Sequence, residues 1–281
     1  MTANSFGGFW TQTKLDVLRE YLGFYASAMS KQAWCKLVYI DAFAGTGRCL
    51  IKTADGGERI IDGSAKIALD CSPAFDAYRF IESNKVHQAE LQQLIDNHPN
   101  GHKAKIAPHS AADMLPSILI GYNWQKHRGV LFLDPFGLQC DYSLLKQIAN
   151  TKALDVFFLV SLSGLYRQAA IDERDISPDK AAILTNVFGS DKWKTEMYKP
   201  SPQEDLFDAP AVTRDRGWAQ ILQFMTRSLS ELFPYVGPPN LMYSPQGAPL
   251  FALYFAVSND SEAALRLAKK VSKEILSKLN A

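Results

Sequence analysis

Five times before residue 162 the chain repeats one pattern: a short apolar run stops abruptly, and a helix-forming stretch follows. The clearest runs are Lys36-Leu-Val-Tyr-Ile-Asp41 and Gly129-Val-Leu-Phe-Leu-Asp134. The others cover Ala77 to Glu82, Lys103 to Ala107 and Leu154 to Ser161. Uninterrupted apolar runs suit strands buried on both faces, as in parallel sheets. Strands alternating with helices predict an α/β fold. The spacing predicts helices over Thr13 to Met29, Gly63 to Cys71, Lys85 to Asn97, Ala112 to Tyr122 and Leu144 to Asn150. In the first, Leu15, Leu18, Leu22, Tyr25 and Met29 fall on one face, and Thr13 with Asp16 reads as a capping box.

The rhythm breaks after Arg167. Residues 171–239 carry helical patches at Asp179 to Phe188 and Gly217 to Phe233. A polar, proline-rich loop from Lys199 to Pro210 separates them. A strand pattern returns at Leu250 to Val257, and a last helix is expected from Ser261 to Leu279. Its buried stripe would be Ala264, Ala268, Val271, Ile275 and Leu279, with Arg266, Lys269, Lys270 and Lys273 outward. The expected division is a Rossmann-like domain from 1–170 and 240–281, with 171–239 as a helical insertion. The length of 281 residues agrees with one or two domains.

Composition removes several classes. With 47% apolar and 21% charged residues, the chain is neither disordered nor collagen-like. A net charge of +1 gives no global attraction to nucleic acid or anionic membrane, so a nucleic-acid contact would need a local patch. Four scattered cysteines form no CxxC pair, and five histidines have no metal-type spacing, so no metal site is expected. There is no apolar run near the ~20 residues of a membrane span, and no signal-peptide pattern. A cytoplasmic location without membrane partners is the expectation.

Three candidate sites stand at the carboxyl ends of predicted strands, where open α/β sheets bind ligands. The first is Asp41-Ala-Phe43-Ala-Gly45-Thr-Gly47. Its glycines permit a sharp turn and a close approach to a ligand. Asp41 would pair with a ligand ammonium group or order the loop, and it would repel a pyrophosphate. That favours a zwitterion such as S-adenosylmethionine over a dinucleotide. The second is Phe80-Ile-Glu82-Ser83, whose acid is placed for a ribose diol. It lies about 35 residues beyond the glycines, against roughly 20 in dinucleotide folds; a loop from Ile51 to Asp62 accounts for the excess. The third is Asp134-Pro135-Phe136-Gly137, a carboxylate for a target amine and a ring to stack on a flat acceptor. Asp155 reads as a turn or cap residue. His109 falls in the loop after the third strand, and Arg167 reads equally as a residue at the crevice mouth or an ordinary surface arginine. Trp193 to Tyr198 mixes rings and lysines, as a nucleic-acid contact would, although a packing role is the simpler account.

Taken together, these segments resemble class I S-adenosylmethionine-dependent methyltransferases, and more narrowly the three-Cys-motif partner proteins of bacteria. The resemblance rests on Lys14-Leu15, Tyr21-Leu22, Tyr39 to Gly47, Gly63 to Leu69, Phe80 to Glu82, Leu131 to Gly137 and Pro249 to Ala256. It implies a mostly parallel sheet of seven strands, with Leu250 to Val257 antiparallel beside the fifth, and a winged-helix-like segment within 171–239. It implies that Asp41, Phe43, Gly45 and Gly47 hold the methionine end of the cofactor and that Glu82 and Ser83 hold its ribose. Ser110, in His109-Ser110-Ala111-Ala112-Asp113, would replace the usual acid at the adenine. Asp134, Pro135 and Phe136 would correspond to the [D/N]PP[Y/F] motif of amino-group methyltransferases, although the second proline is missing. The expected activity is methyl transfer to an amino group of a nucleobase or other planar acceptor. A separate three-Cys-motif protein is an implied partner. A non-catalytic S-adenosylmethionine-binding protein and a nucleic-acid-binding module are the alternatives.

Overall fold

Side chains of a strand alternate between faces, so one apolar run can feed two cores. The first run does so. A computed structural model describes residues 9–53, 57–200 and 212–275. In it, Leu37 and Tyr39 enter a cluster on one face that mixes aromatic rings with aliphatic side chains. Val38 and Ile40 enter a more aliphatic cluster on the other.

The chain begins with helix α1 (Phe9–Met29) and strand β1 (Lys36–Asp41), followed by β2 (Arg48–Lys52), β3 (Glu58–Asp62) and α2 (Ser64–Leu69). Next come β4 (Ala77–Ile81), α3 (Lys85–Asp96), β5 (Ala104–Ala107), α4 (Ala111–Ile120) and β6 (His127–Leu133). Then follow α5 (Tyr142–Asn150), β7 (Leu154–Ser161), α6 (Leu162–Gln168), α7 (Pro178–Phe188) and α8 (Trp193–Met197). The remainder is β8 (Lys199–Pro200), β9 (Val212–Thr213), α9 (Ala219–Leu232), β10 (Tyr235–Val236), β11 (Asn240–Tyr243), β12 (Pro249–Val257) and α10 (Glu262–Glu274).

Strands β5, β4, β1, β6 and β7 lie side by side in that order, and each neighbouring pair is parallel. Strand β12 joins β7 antiparallel, pairing Phe255 with Phe157. This is a mixed α/β, Rossmann-like sheet, parallel except at the β12 end. Seven positions run across it, but the sheet has eight strands, because β10 and β11 share the far edge of β12. Gly237-Pro238-Pro239 separates them. Proline offers no backbone N–H, so the edge ladder is interrupted there.

Three local expectations change. Helix α1 already runs at Phe9, so Thr13 sits inside it rather than capping it. The span read as a loop from Ile51 to Asp62 belongs mostly to a hairpin, β2 against β3. Trp193 and Tyr198 are buried, with ring centroids 5.9 Å apart, so neither ring is presented to a nucleic acid. Leu184, Phe188, Trp193, Ile221, Phe224 and Leu229, from helices between residues 171 and 239, share one core cluster with Ile40 and Leu131 of the sheet. Helix α10 buries Ala268 and Val271, with its C-cap Ile275 also buried, and exposes Lys269, Lys270 and Lys273. The expected continuation to Leu279, and most of the loop to Pro210, fall outside the described residues.

The aromatic face couples α1 to the sheet. Phe157 is 1% exposed and lies 4.9 Å from Tyr21 and 5.1 Å from Phe255 by ring centroid. Large-to-small changes at such sites cost about 3–5 kcal/mol. Phe157→Ala is expected to lower the unfolding free energy by about that amount in urea titrations; a loss under about 1 kcal/mol would mean that this face is not closely packed.

Candidate functional site

The connection order reverses at β1. From there the chain continues to β4 and β5 on one side, then returns to β6 and β7 on the other. The carboxyl ends of β1, β4 and β6 therefore border a crevice. The three sequence-predicted segments meet there.

The loop after β1 is anchored to both neighbours. Ala42 N–H donates to the Phe132 carbonyl at 3.0 Å, and Ala44 N–H to that of Ile81 at 3.0 Å. Gly45 and Gly47 take φ values of +59° and +76°, where a side chain would be strained. A third glycine has a different task. Gly63 N–H donates to the Gly47 carbonyl at 2.8 Å, and a Cβ at 63 would lie 2.8 Å from the Gly47 carbonyl carbon. This contact closes the neck of the β2–β3 hairpin and brings Ser64 beside the glycine loop.

Glu82 ties the loops after β1 and β4 together. One carboxylate oxygen accepts from Gly45 N–H at 2.9 Å, and the other from Asn84 N–H at 2.7 Å. A carboxylate has about four lone-pair sites, so acceptor capacity remains. Asp41 lies beneath the loop and is fully buried. It accepts from Phe43 N–H at 3.2 Å and from the Tyr39 hydroxyl at 3.3 Å. Asp41 lines neither cleft described below, so of its two readings the structure favours ordering of the loop. Burial pushes its pKa from 3.8 up to about 7; Ser64, Phe43 N–H and Tyr39 oppose that rise, and Asp134 adds to it.

Two clefts of about 380 and 360 Å³ open at this end of the sheet. Phe43 and Phe136 line both. The first also has Gly45, Ser64, Asp134 and Pro135, with Trp10, Lys14 and Phe251 opposite. The second has Glu82, Ser83, His109, Ser110 and Gln139. Phe136 is 64% exposed, a ring standing free at the junction. Ser110 caps α4: its hydroxyl accepts from Asp113 N–H at 3.2 Å and donates to the Asp113 carboxylate at 2.6 Å. Gly47 and Asp41 shape the loop from behind. Arg167 is exposed and lines neither cleft.

The sequence reading missed the partner of Asp134. Lys14 reaches from α1 and forms an ion pair with its carboxylate. The Lys14 side chain is only 11% exposed and that of Asp134 24%. A signal was present: Thr11, Lys14, Leu18, Tyr21 and Tyr25 follow three- and four-residue spacing, so the lysine sits on the inward face of its helix. Trp10 and Gln139 were also missed; nothing in their spacing marks them. Among the described residues, no group of three His, Cys, Asp or Glu side chains could hold a metal ion, and no helix is long and apolar enough to cross a membrane.

The fold has a counterpart among solved structures. Protein LPL1258 from Legionella pneumophila, of the DUF519 family, is similar over 98% of this chain and 94% of its own, with a TM-score of 0.52 and 12% identity. At that identity the likeness concerns the fold. Weaker likenesses include the glycopeptide N-methyltransferase MtfA complexed with S-adenosyl-L-homocysteine, at TM-score 0.35 and 10% identity over 85% of this chain and 87% of the other. Another is spermidine synthase from Thermotoga maritima, at TM-score 0.39 and 12% identity over 85% and 61%. No family model matches the chain, and no curated protein matches it by sequence.

The raised pKa of Asp41 has a definite sign. Between its unfolded value near 3.8 and its folded value of about 7, the folded chain keeps a proton that the unfolded chain releases. Stability contributed at this site therefore falls as pH rises through that window. Asp41→Asn cannot titrate. Its unfolding free energy relative to the native chain is expected to rise from about pH 4 to about pH 7 and then level off, in urea titrations across pH. A flat difference would show that Asp41 is not held in this way.

Proposed function

We propose that this chain is an S-adenosylmethionine-dependent methyltransferase of the three-Cys-motif partner type, acting on an amino group of a planar acceptor such as a nucleobase. One observation carries the reading. Two clefts meet at Phe43 and Phe136 over the carboxyl ends of β1, β4 and β6, with the Glu82 carboxylate in one and the Gly45 turn in the other. The donors suit an adenosyl amino acid. Glu82 and Ser83 would hold the ribose, Gly45 and Ser64 the amino-acid end, and Phe136 the junction.

When bound, the cofactor supplies an electrophilic methyl group on a sulfonium. The chain's own part is to place the acceptor. Phe136 and Trp10 offer flat faces to an aromatic ring. Asp134 accepts an N–H from the acceptor amine and orients its lone pair. Lys14 holds that carboxylate in place through their ion pair. Leu15, Leu159 and Phe251 keep water from the first cleft. No covalent enzyme intermediate is required, because alignment alone can remove much of such a barrier. The missing second proline has a structural counterpart: the ring follows Pro135 directly and projects into solvent.

Calorimetric titration with S-adenosylhomocysteine tests the cofactor site. Saturable binding is expected, weakened at least about tenfold in Glu82→Ala. Asp134→Ala is expected to retain that affinity but to lose transfer of labelled methyl to nucleic-acid, peptide and small-amine acceptors by about a hundredfold or more. Lys14→Met is expected to lower kcat with little change in ligand affinity. Equal loss of binding and transfer in Asp134→Ala would remove its acceptor role. Binding without transfer to any acceptor would favour the non-catalytic reading.

A further inference from the structure

A third cavity, of about 500 Å³, lies at the opposite end of the sheet. Its floor is the amino-terminal end of β6 and β7, and its walls are the later turns of α1 and the first turns of α10. It shares no lining residue with the two clefts. The proposed methyl transfer uses none of it.

Its chemistry is unusual for a gap between helices. Asp155, far from being a turn or cap residue, sits within β7, in register with Val130. It is half-buried and open to the cavity, and the Tyr21 hydroxyl donates to it. Among the described residues, no lysine or arginine forms an ion pair with it. Burial pushes its pKa up to about 7, against the pull of Tyr21 and Arg128. Arg128 stands on the same floor, with its guanidinium carbon 4.7 Å from the Trp34 ring centroid. One of its nitrogens donates to the carbonyls of Trp124 and His127. Among the described residues, no acid forms an ion pair with it either. The cavity thus holds one carboxylate and one guanidinium that do not bond each other. Met29 of α1 and Leu267 and Val271 of α10 give the walls apolar surface, beside the polar Gln32, Asn259 and Ser261.

Charge decides what can enter. A simple cation would meet Arg128, and a simple anion would meet Asp155. A neutral apolar molecule would displace water from both charges without offering either a hydrogen bond. We infer that this cavity is a second binding site, for a small zwitterion of amino-acid size: its ammonium group on Asp155, its carboxylate on Arg128, and its apolar side chain between α1 and α10.

The test uses the full chain and ligand-observed NMR titration with L-leucine, L-methionine and L-phenylalanine. Two one-charge analogues of the last, 3-phenylpropionate and 2-phenylethylamine, serve as controls. Ala264 is half-buried on the cavity wall, so Ala264→Trp fills the space without removing a charge. Saturable millimolar or tighter binding of at least one amino acid is expected. It should weaken about tenfold or more in Asp155→Asn and in Ala264→Trp, and in the one-charge analogues. S-Adenosylhomocysteine binding should be unchanged in Ala264→Trp, which separates this site from the cofactor clefts. No saturable binding of any of the three, binding unaffected by Ala264→Trp, or equal binding of a one-charge analogue would overturn the inference.

Discussion

The crevice depends on the Glu82 carboxylate. It takes a backbone N–H from the glycine turn after β1 and another from the entrance to α3. Charge-assisted bonds of this kind are stronger than neutral ones. They fix two loops that the sheet alone leaves only neighbouring. The Gly63–Gly47 contact adds the third side, by folding the β2–β3 hairpin out of the way. Loop positions then follow from strand positions, and strand positions follow from a floor packed on both faces.

Three carboxylates gather at this end of the sheet, in three different environments. Asp41 is sealed under the loop and resists ionisation. Glu82 is bound to backbone donors and keeps lone pairs toward the second cleft. Asp134 is paired with a lysine and faces the first. In the proposed mechanism one serves the scaffold, one joins loop to ligand, and one meets the acceptor. Environment rather than residue type separates these roles.

The sheet was legible because its strands are buried on both faces, which turns each into a continuous apolar run that ends where the crevice begins. Asp41, Glu82 and Asp134 were legible for the same reason. The β2–β3 hairpin was not: Arg48 to Lys52 and Glu58 to Asp62 are short, with charged residues at both ends, and only their pairing makes them strands. Splitting of the edge into β10 and β11 depends on a Gly-Pro-Pro break that reads as a loop. The Lys14–Asp134 pair joins residues 120 apart in sequence; periodicity places Lys14 inward but cannot name what it meets. Asp155 was misread because a strand's first residues resemble a turn, and only packing of α1 and α10 shows that its side chain faces a cavity.

The central claim is that the two clefts are halves of one ligand site. A crystal structure of the chain grown with S-adenosylhomocysteine tests it most directly. The account requires the ribose on Glu82 in the second cleft and the amino-acid end against Gly45 and Ser64 in the first, with Phe136 beside the sulfur. Ligand density confined to one cleft or lying outside both, or clefts still empty at saturating ligand, would contradict it.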